Sequence, residues 1–153
     1  MRALSGRRRR SSGGNAMIEF ALGFSLIFPL FTGSFQFGYA FLVYDNIETA
    51  VRAGARYAAT RTYDSATPTP SSAYLTAVRN MVVYGNPAGG TRRVAPGLDP
   101  ANVRVTMTFA KNIPSVVSVD IINYSLDAVV ATMNVNGKPK VSFPYLGRWE
   151  PVT

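Results

Sequence analysis

From Ile18 to Val43 the chain runs for 26 residues with a single charged side chain, Glu19. At about 1.5 Å per residue, a helix of that length extends roughly 39 Å, more than the ~30 Å hydrocarbon core of a bilayer requires. A buried core helix would need apolar partners all round, and so small a protein has too little else to supply them. One membrane-spanning helix is the economical reading. Glu19 stands near its start, where an ionisable group is costly in lipid and is functional more often than incidental.

Immediately before this run lie Arg2, Arg7, Arg8, Arg9 and Arg10, five of the sixteen basic residues in a chain of formal charge +8. Without residues 1–14, eleven basic groups face eight acidic ones, a balance of +3. The positive charge is therefore local. Next to an apolar span it reads as a topology signal, because Lys and Arg are retained on the cytoplasmic side. A nucleic-acid arm is the competing reading of an arginine run, and the adjoining span argues against it. A cleavable secretory signal fits poorly, since its apolar region is about 7–15 residues with the cut after it. The chain has no cysteine and no histidine. That excludes a disulfide framework, a Cys/His zinc site, and any Ser-His-Asp or Cys-His catalytic set.

Within the apolar run, Ala21, Ser25, Pro29 and Gly33 recur every four residues, and Ser34 and Gly38 add a second pair. Small side chains at this spacing let helix backbones approach closely in lipid, so a helix-packing stripe is expected. Pro29 cannot donate to the carbonyl of Ser25, which predicts a kink or local loosening there. Beyond Val43 the pattern becomes amphipathic. Ile47, Ala50, Val51, Gly54, Tyr57 and Ala58 share one face, while Glu48, Arg52 and Arg56 form an i, i+4 series on the other. The helix is expected to continue to about Thr60, with the two arginines solvated.

Residues 62–72 are rich in Thr, Ser and Pro and read as a loop. Ser71 is positioned to cap a second helix with Ala73, Tyr74, Ala77, Val78, Met81 and Val82 on its apolar face, stopped by Gly85 and Pro87. Residues 86–100 form another loop. They carry Arg92 and Arg93 but no phosphate-binding motif. Alternation predicts strands over Val103–Phe109 and Val117–Ile121, with Asp120 on a solvated face. Leu126, Val129, Val130 and Met133 hint at a short helix, although their β-branching leaves a strand open. Asn136-Gly137 marks a turn before a last strand at Val141–Tyr145. The expected fold class is α+β: a long N-terminal helix packed with a second helix and a small antiparallel sheet. The expected organisation is a leader at 1–14, a transmembrane helix at 15–44, its amphipathic continuation at 45–61, and an α+β domain at 62–153.

The stretch Gly14-Asn15-Ala16-Met17-Ile18-Glu19-Phe20 resembles a type IV prepilin processing site. In such sites a peptidase cuts after the glycine, leaving glutamate fifth and phenylalanine sixth. With Asn15 as the new first residue, Glu19 and Phe20 take those places. A longer segment resembles the TadE-like pseudopilins of tight-adherence pilus systems. It comprises Glu19-Phe20-Ala21, the apolar run, Phe37-Gly38-Tyr39-Ala40-Phe41, and Ala50-Val51-Arg52-Ala53-Gly54-Ala55-Arg56-Tyr57-Ala58. The ending Phe143-Pro144-Tyr145-Leu146-Gly147-Arg148 is similar to some tails in that family. Asn15 departs from the phenylalanine of methylated type IV pilins, and Ala53 stands where relatives often carry Glu.

The resemblance implies a structural, non-enzymatic subunit with no cofactor. Gly14 and Asn15 would form the cleavage site, and Glu19 would pair with the new amine of a neighbouring subunit. Implied partners are a prepilin peptidase, other pilin or pseudopilin subunits in a homo- or hetero-oligomer, and the inner-membrane assembly platform, with no nucleic acid. The implied location is the inner membrane, N-terminus cytoplasmic and C-terminal domain periplasmic, with the extracellular pilus as a further destination. The chain is longer than the short major pilins of these systems, which implies a minor or atypical subunit. Two other classes compete. One is an uncleaved, membrane-anchored periplasmic scaffold or binding protein. The other is an enzyme, for which Asp64, Asp99, Asp120 and Asp127 offer neither a paired motif nor metal-ligand spacing.

Overall fold

The computed structural model describes residues 13–127 and 132–151, and the chain divides into two compact units, Met1–Phe37 and Gly38–Thr153. The arginine run at 7–10, Arg2, and the expected helical residues Val129 and Val130 lie outside the described residues. The first helix, α1, spans Gly13–Thr60 without interruption at Pro29. Among the described residues it is the one helix long and apolar enough to cross a membrane. In the first unit its side chains are exposed almost throughout, with Thr32 and Gln36 half-buried.

The second unit is built on the remainder of α1. Ala40, Val43, Ile47, Ala50, Val51, Ala55, Ala58 and Ala59 are buried, the i, i+3, i+4 pattern of a helix covered on one side. The opposite side carries the ion pair between Arg52 and Glu48. The second helix, α2, spans Ser72–Tyr84. Its start is fixed by Ser71, whose hydroxyl accepts from the Tyr74 amide at 3.1 Å and donates to Asp64 Oδ2 at 2.7 Å. Its end is fixed by Gly85, left-handed at φ 68°, whose amide donates to the Met81 carbonyl. Gly54 is what lets the two helices meet: a Cβ there would come within 2.2 Å of Val82 Cγ2.

Strands β1 (Val103–Ala110), β2 (Ile113–Ile121) and β5 (Lys140–Pro144) form an antiparallel sheet in the order β1-β2-β5. Val105 pairs with Val119, and Val117 with Phe143. The β1–β2 turn places Lys111 and Asn112 at φ 52° and 61°, the pair of positive angles that a tight two-residue hairpin needs. Val103, Val105, Met107, Val117, Val119 and Ile121 enter the same core cluster as the two helices.

One open alternative is decided and one expectation is corrected. Leu126 and Met133 are not helical: they face each other across an antiparallel hairpin of β3 (Tyr124–Asp127) and β4 (Thr132–Val135). Their spacing imitates a helical period, and the pairing of two short strands overrides it. Asp120 is not solvated; it is 1% exposed although it alternates with core residues. Its register places it between Arg104 on β1 and Lys140 on β5. Arg104 binds it through both Nε and Nη2, and this hydrogen bonding, then its charge, pushes the guanidinium pKa up. A neighbouring cation on the same face is what allows a carboxylate to be covered.

The end of α1 is closed by residues distant in sequence. The last carbonyls of a helix have no partner within it. Here the Ala58 carbonyl accepts from the Tyr74 hydroxyl at 2.6 Å and the Ala59 carbonyl from the Leu146 amide at 2.9 Å. Beyond Leu146 the tail lies along Tyr63. Tyr63 donates its amide to the Arg148 carbonyl and accepts from the Glu150 amide, while the Trp149 indole donates to the Ser65 carbonyl. Gly147 is required in this strap, because a Cβ would stand 2.4 Å from the Arg61 carbonyl oxygen.

Candidate functional site

Gly14 and Asn15 lie in the first turns of α1, both exposed, and a Cβ on Gly14 would meet nothing within 4 Å. Glu19 follows four residues after Asn15, on the same side of the helix one turn along. It is exposed, and no described residue hydrogen-bonds or ion-pairs with it. Phe20 is 69% exposed and begins a ring stack along the helix, with Phe20–Phe24 centroids 5.9 Å apart and Phe24–Phe28 centroids 5.1 Å apart.

The small residues Ala21, Ser25, Pro29, Gly33, Ser34 and Gly38 are all exposed, and neither Gly33 nor Gly38 has a neighbour within 4 Å of an added Cβ. The two serines are already satisfied within the helix: Ser25 Oγ donates to the Leu22 carbonyl at 2.8 Å and Ser34 Oγ to the Leu30 carbonyl at 2.9 Å. Such back-bonding removes the cost of a hydroxyl in lipid and leaves the surface effectively apolar. Glu19 is the charge in this stretch that remains unanswered by any described residue.

Compared with known families, residues 14–56 match the model of the TadE-like proteins. This segment is TadE-like. The match runs from Gly14, through the apolar stretch, to Arg56 on the part of α1 that has a buried face. That family is a structural one, and the single apolar helix together with the match supports a membrane-anchored protein. No curated protein and no solved structure matches the chain.

Among the described residues no cluster of three or more Asp or Glu side chains is placed to hold a metal. A broad open groove of about 470 Å³ runs along the second half of α1 past Arg52, Arg56, Tyr57 and Met81. Two further clefts flank α1 where the apolar run ends. One is lined by Tyr44, Glu48, Lys138 and Lys140 and the other by Asn46, Tyr84, Arg92 and Arg93. No periodicity or motif in the sequence points to these clefts, since their walls come together only through folding.

Proposed function

We propose that this protein is a pilin-like, TadE-like subunit of a tight-adherence-type pilus, cut between Gly14 and Asn15 by a prepilin peptidase and assembled through its N-terminal helix. The supporting observation is the exposed, unpaired Glu19 one turn from Asn15, on an apolar helix whose segment 14–56 is TadE-like. A peptidase needs an accessible, narrow site at the membrane edge, and Gly14 presents no side chain. After the cut, Asn15 carries a free ammonium. A carboxylate and an ammonium each cost free energy in low dielectric, but brought together they attract strongly. The Glu19 of one subunit and the Asn15 amine of the next would thereby set the register between neighbours, with the stripe from Ala21 to Gly38 fixing how closely their helices approach. The peptidase, sister subunits and the inner-membrane platform are the partners this requires.

Coexpression with the cognate prepilin peptidase is expected to give a protein beginning at Asn15, and Gly14→Val to abolish the cut. An N-terminus that stays at Met1 would favour the uncleaved anchor instead. Glu19→Ala is expected to be inserted and processed. Its crosslinking through cysteines engineered on adjacent helices, and its recovery in sheared pili, should fall by about tenfold or more, as expected when one partner of a desolvated pair is removed. Wild-type crosslinking in that variant would take Glu19 out of the mechanism.

A further inference from the structure

We propose that the second unit carries a cationic collar, Arg92, Lys138 and Lys140, that binds the phosphate headgroups of the bilayer that α1 spans; this rests on the membrane-spanning reading above. The collar is built from two loops. In the first, the Val94 amide donates to the Val83 carbonyl at 2.8 Å, holding Arg92 and Arg93 beside the end of α2. In the second, the Gly137 amide donates to the Ile121 carbonyl at 2.7 Å, and buried Pro139 fixes Lys138 and Lys140 at the end of β2. The cations therefore sit on pinned backbone.

Both loops meet α1 where its apolar run gives way to Tyr44, Asp45, Asn46 and Glu48. One cleft contains Tyr44 and Glu48, four residues apart on one flank. The other contains Asn46, which at about 100° per residue lies roughly 200° around the helix from each. The two loops thus bracket α1 from opposite flanks at a single level. Four cations converge there although they are far apart in sequence.

The charge balance identifies the occupant. Arg93 is neutralised by Asp99 at 2.7 Å, and Glu48 is taken by Arg52. Arg92, Lys138 and Lys140 are exposed and form no ion pair among the described residues; Asp120, the cross-strand neighbour of Lys140, is held by Arg104, and the exposed acid at this level of α1 is Asp45. The excess is positive. Tyr39, Tyr44 and Tyr84 are half-buried or partly exposed around the same level, and aromatic rings with a polar tip favour the headgroup zone. Cations at the surface of an anionic leaflet gain attraction that falls off within a Debye length. A ring of cations and tyrosines at the exit of an apolar helix has the chemistry of a lipid phosphate contact.

The chain has no cysteine, so single labels are clean. The full chain would be labelled with a fluorophore at Thr91→Cys or Asn136→Cys beside the collar. Labels at Thr69→Cys, in the loop beyond the far end of α1, and at Leu26→Cys, within the apolar run, complete the set. Each is reconstituted in phosphatidylcholine vesicles with or without phosphatidylglycerol and quenched by nitroxide on the lipid headgroup or acyl chain. With phosphatidylglycerol, headgroup quenching at 91 and 136 is expected to exceed that at 69 by about threefold, and to fall in high salt. Replacing Arg92, Lys138 and Lys140 together by Gln should bring it down to the level at 69. Equal quenching at all three sites, with Leu26→Cys quenched from the acyl chain, would overturn the collar and leave the span intact. Shielding that follows protein-to-lipid ratio instead of anionic lipid would overturn it in favour of a second copy as the occupant. No acyl-chain quenching at Leu26→Cys would remove the spanning reading and the collar with it.

Discussion

Tyr74 shows how a single polar atom can hold two elements in place. Its ring is fully buried and packs edge-on against Tyr63 at 5.2 Å, and its hydroxyl donates to the Ala58 carbonyl in the last turn of α1. Tyr74→Phe keeps the ring and leaves that carbonyl buried without a donor, which costs about 1–2 kcal/mol. A lower Tm in detergent, with far-UV circular dichroism unchanged at low temperature, is the expected outcome. Burial pushes the pKa values of Tyr74, Tyr63 and Tyr145 above the ordinary 10.0. The folded state therefore holds these protons more tightly than the unfolded chain does. Their contribution to stability is complete below pH 10 and is lost as pH rises toward the folded values. Phenolate absorbance should show these three tyrosines ionising only as the protein unfolds in alkali, and the Tyr74→Phe variant should lose part of that steep alkaline dependence.

At the scale of elements, the close crossing of α1 and α2 depends on Gly54. Alanine would ordinarily stabilise an interior helical position by about 1 kcal/mol over glycine. Here its Cβ would drive into Val82, a buried β-branched side chain with little freedom to move aside. Overpacking costs typically ~1–3 kcal/mol, so Gly54→Ala should destabilise on balance. Adding Val82→Ala should recover part of the loss, and a double-mutant cycle in thermal melts would read that coupling. The amphipathic face holding Gly54 was legible because a 3.6-residue period persists over several turns. The cap at Ser71, the stop at Gly85 and the alternating strands were legible for the same local reason. Leu126 to Met133 stayed open between helix and strand because two four-residue strands are too short to display their own period. Asp120 misled because alternation assigns a residue to a face and says nothing of what covers that face; Arg104 supplies the answer from another strand. The strap from Tyr145 to Glu150 has no periodicity at all, and the side chains of Tyr145 and Trp149 donate to carbonyls 84 positions earlier.

For the whole molecule, the sequence showed the apolar helix, Glu19 and the arginine run, because these are contiguous. The clefts beside Tyr44 and Asn46 were not legible, because Arg92 and Lys138 reach them only through the fold. That difference decides how orientation should be argued. Arginines and lysines act on topology when they lie within about 15–20 residues of a span. Five arginines precede the apolar run, while Arg52, Arg56 and Arg61 follow it closely, accompanied by Asp45 and Glu48. Arg92, Lys138 and Lys140 are too far along the chain to count, and they gather at the exit only once the second unit has folded. The folded surface at the exit is therefore basic without contradicting an N-terminus retained in the cytoplasm. Protease added to spheroplasts is expected to digest the second unit while an epitope before Gly14 in an uncleaved Gly14→Val chain stays protected. Replacing the four arginines at 7–10 by glutamine should weaken that preference and yield a mixed population, whereas replacing Arg92, Lys138 and Lys140 should leave orientation unchanged. Inversion by the second set would mean that the folded cations, and not the basic run, direct insertion.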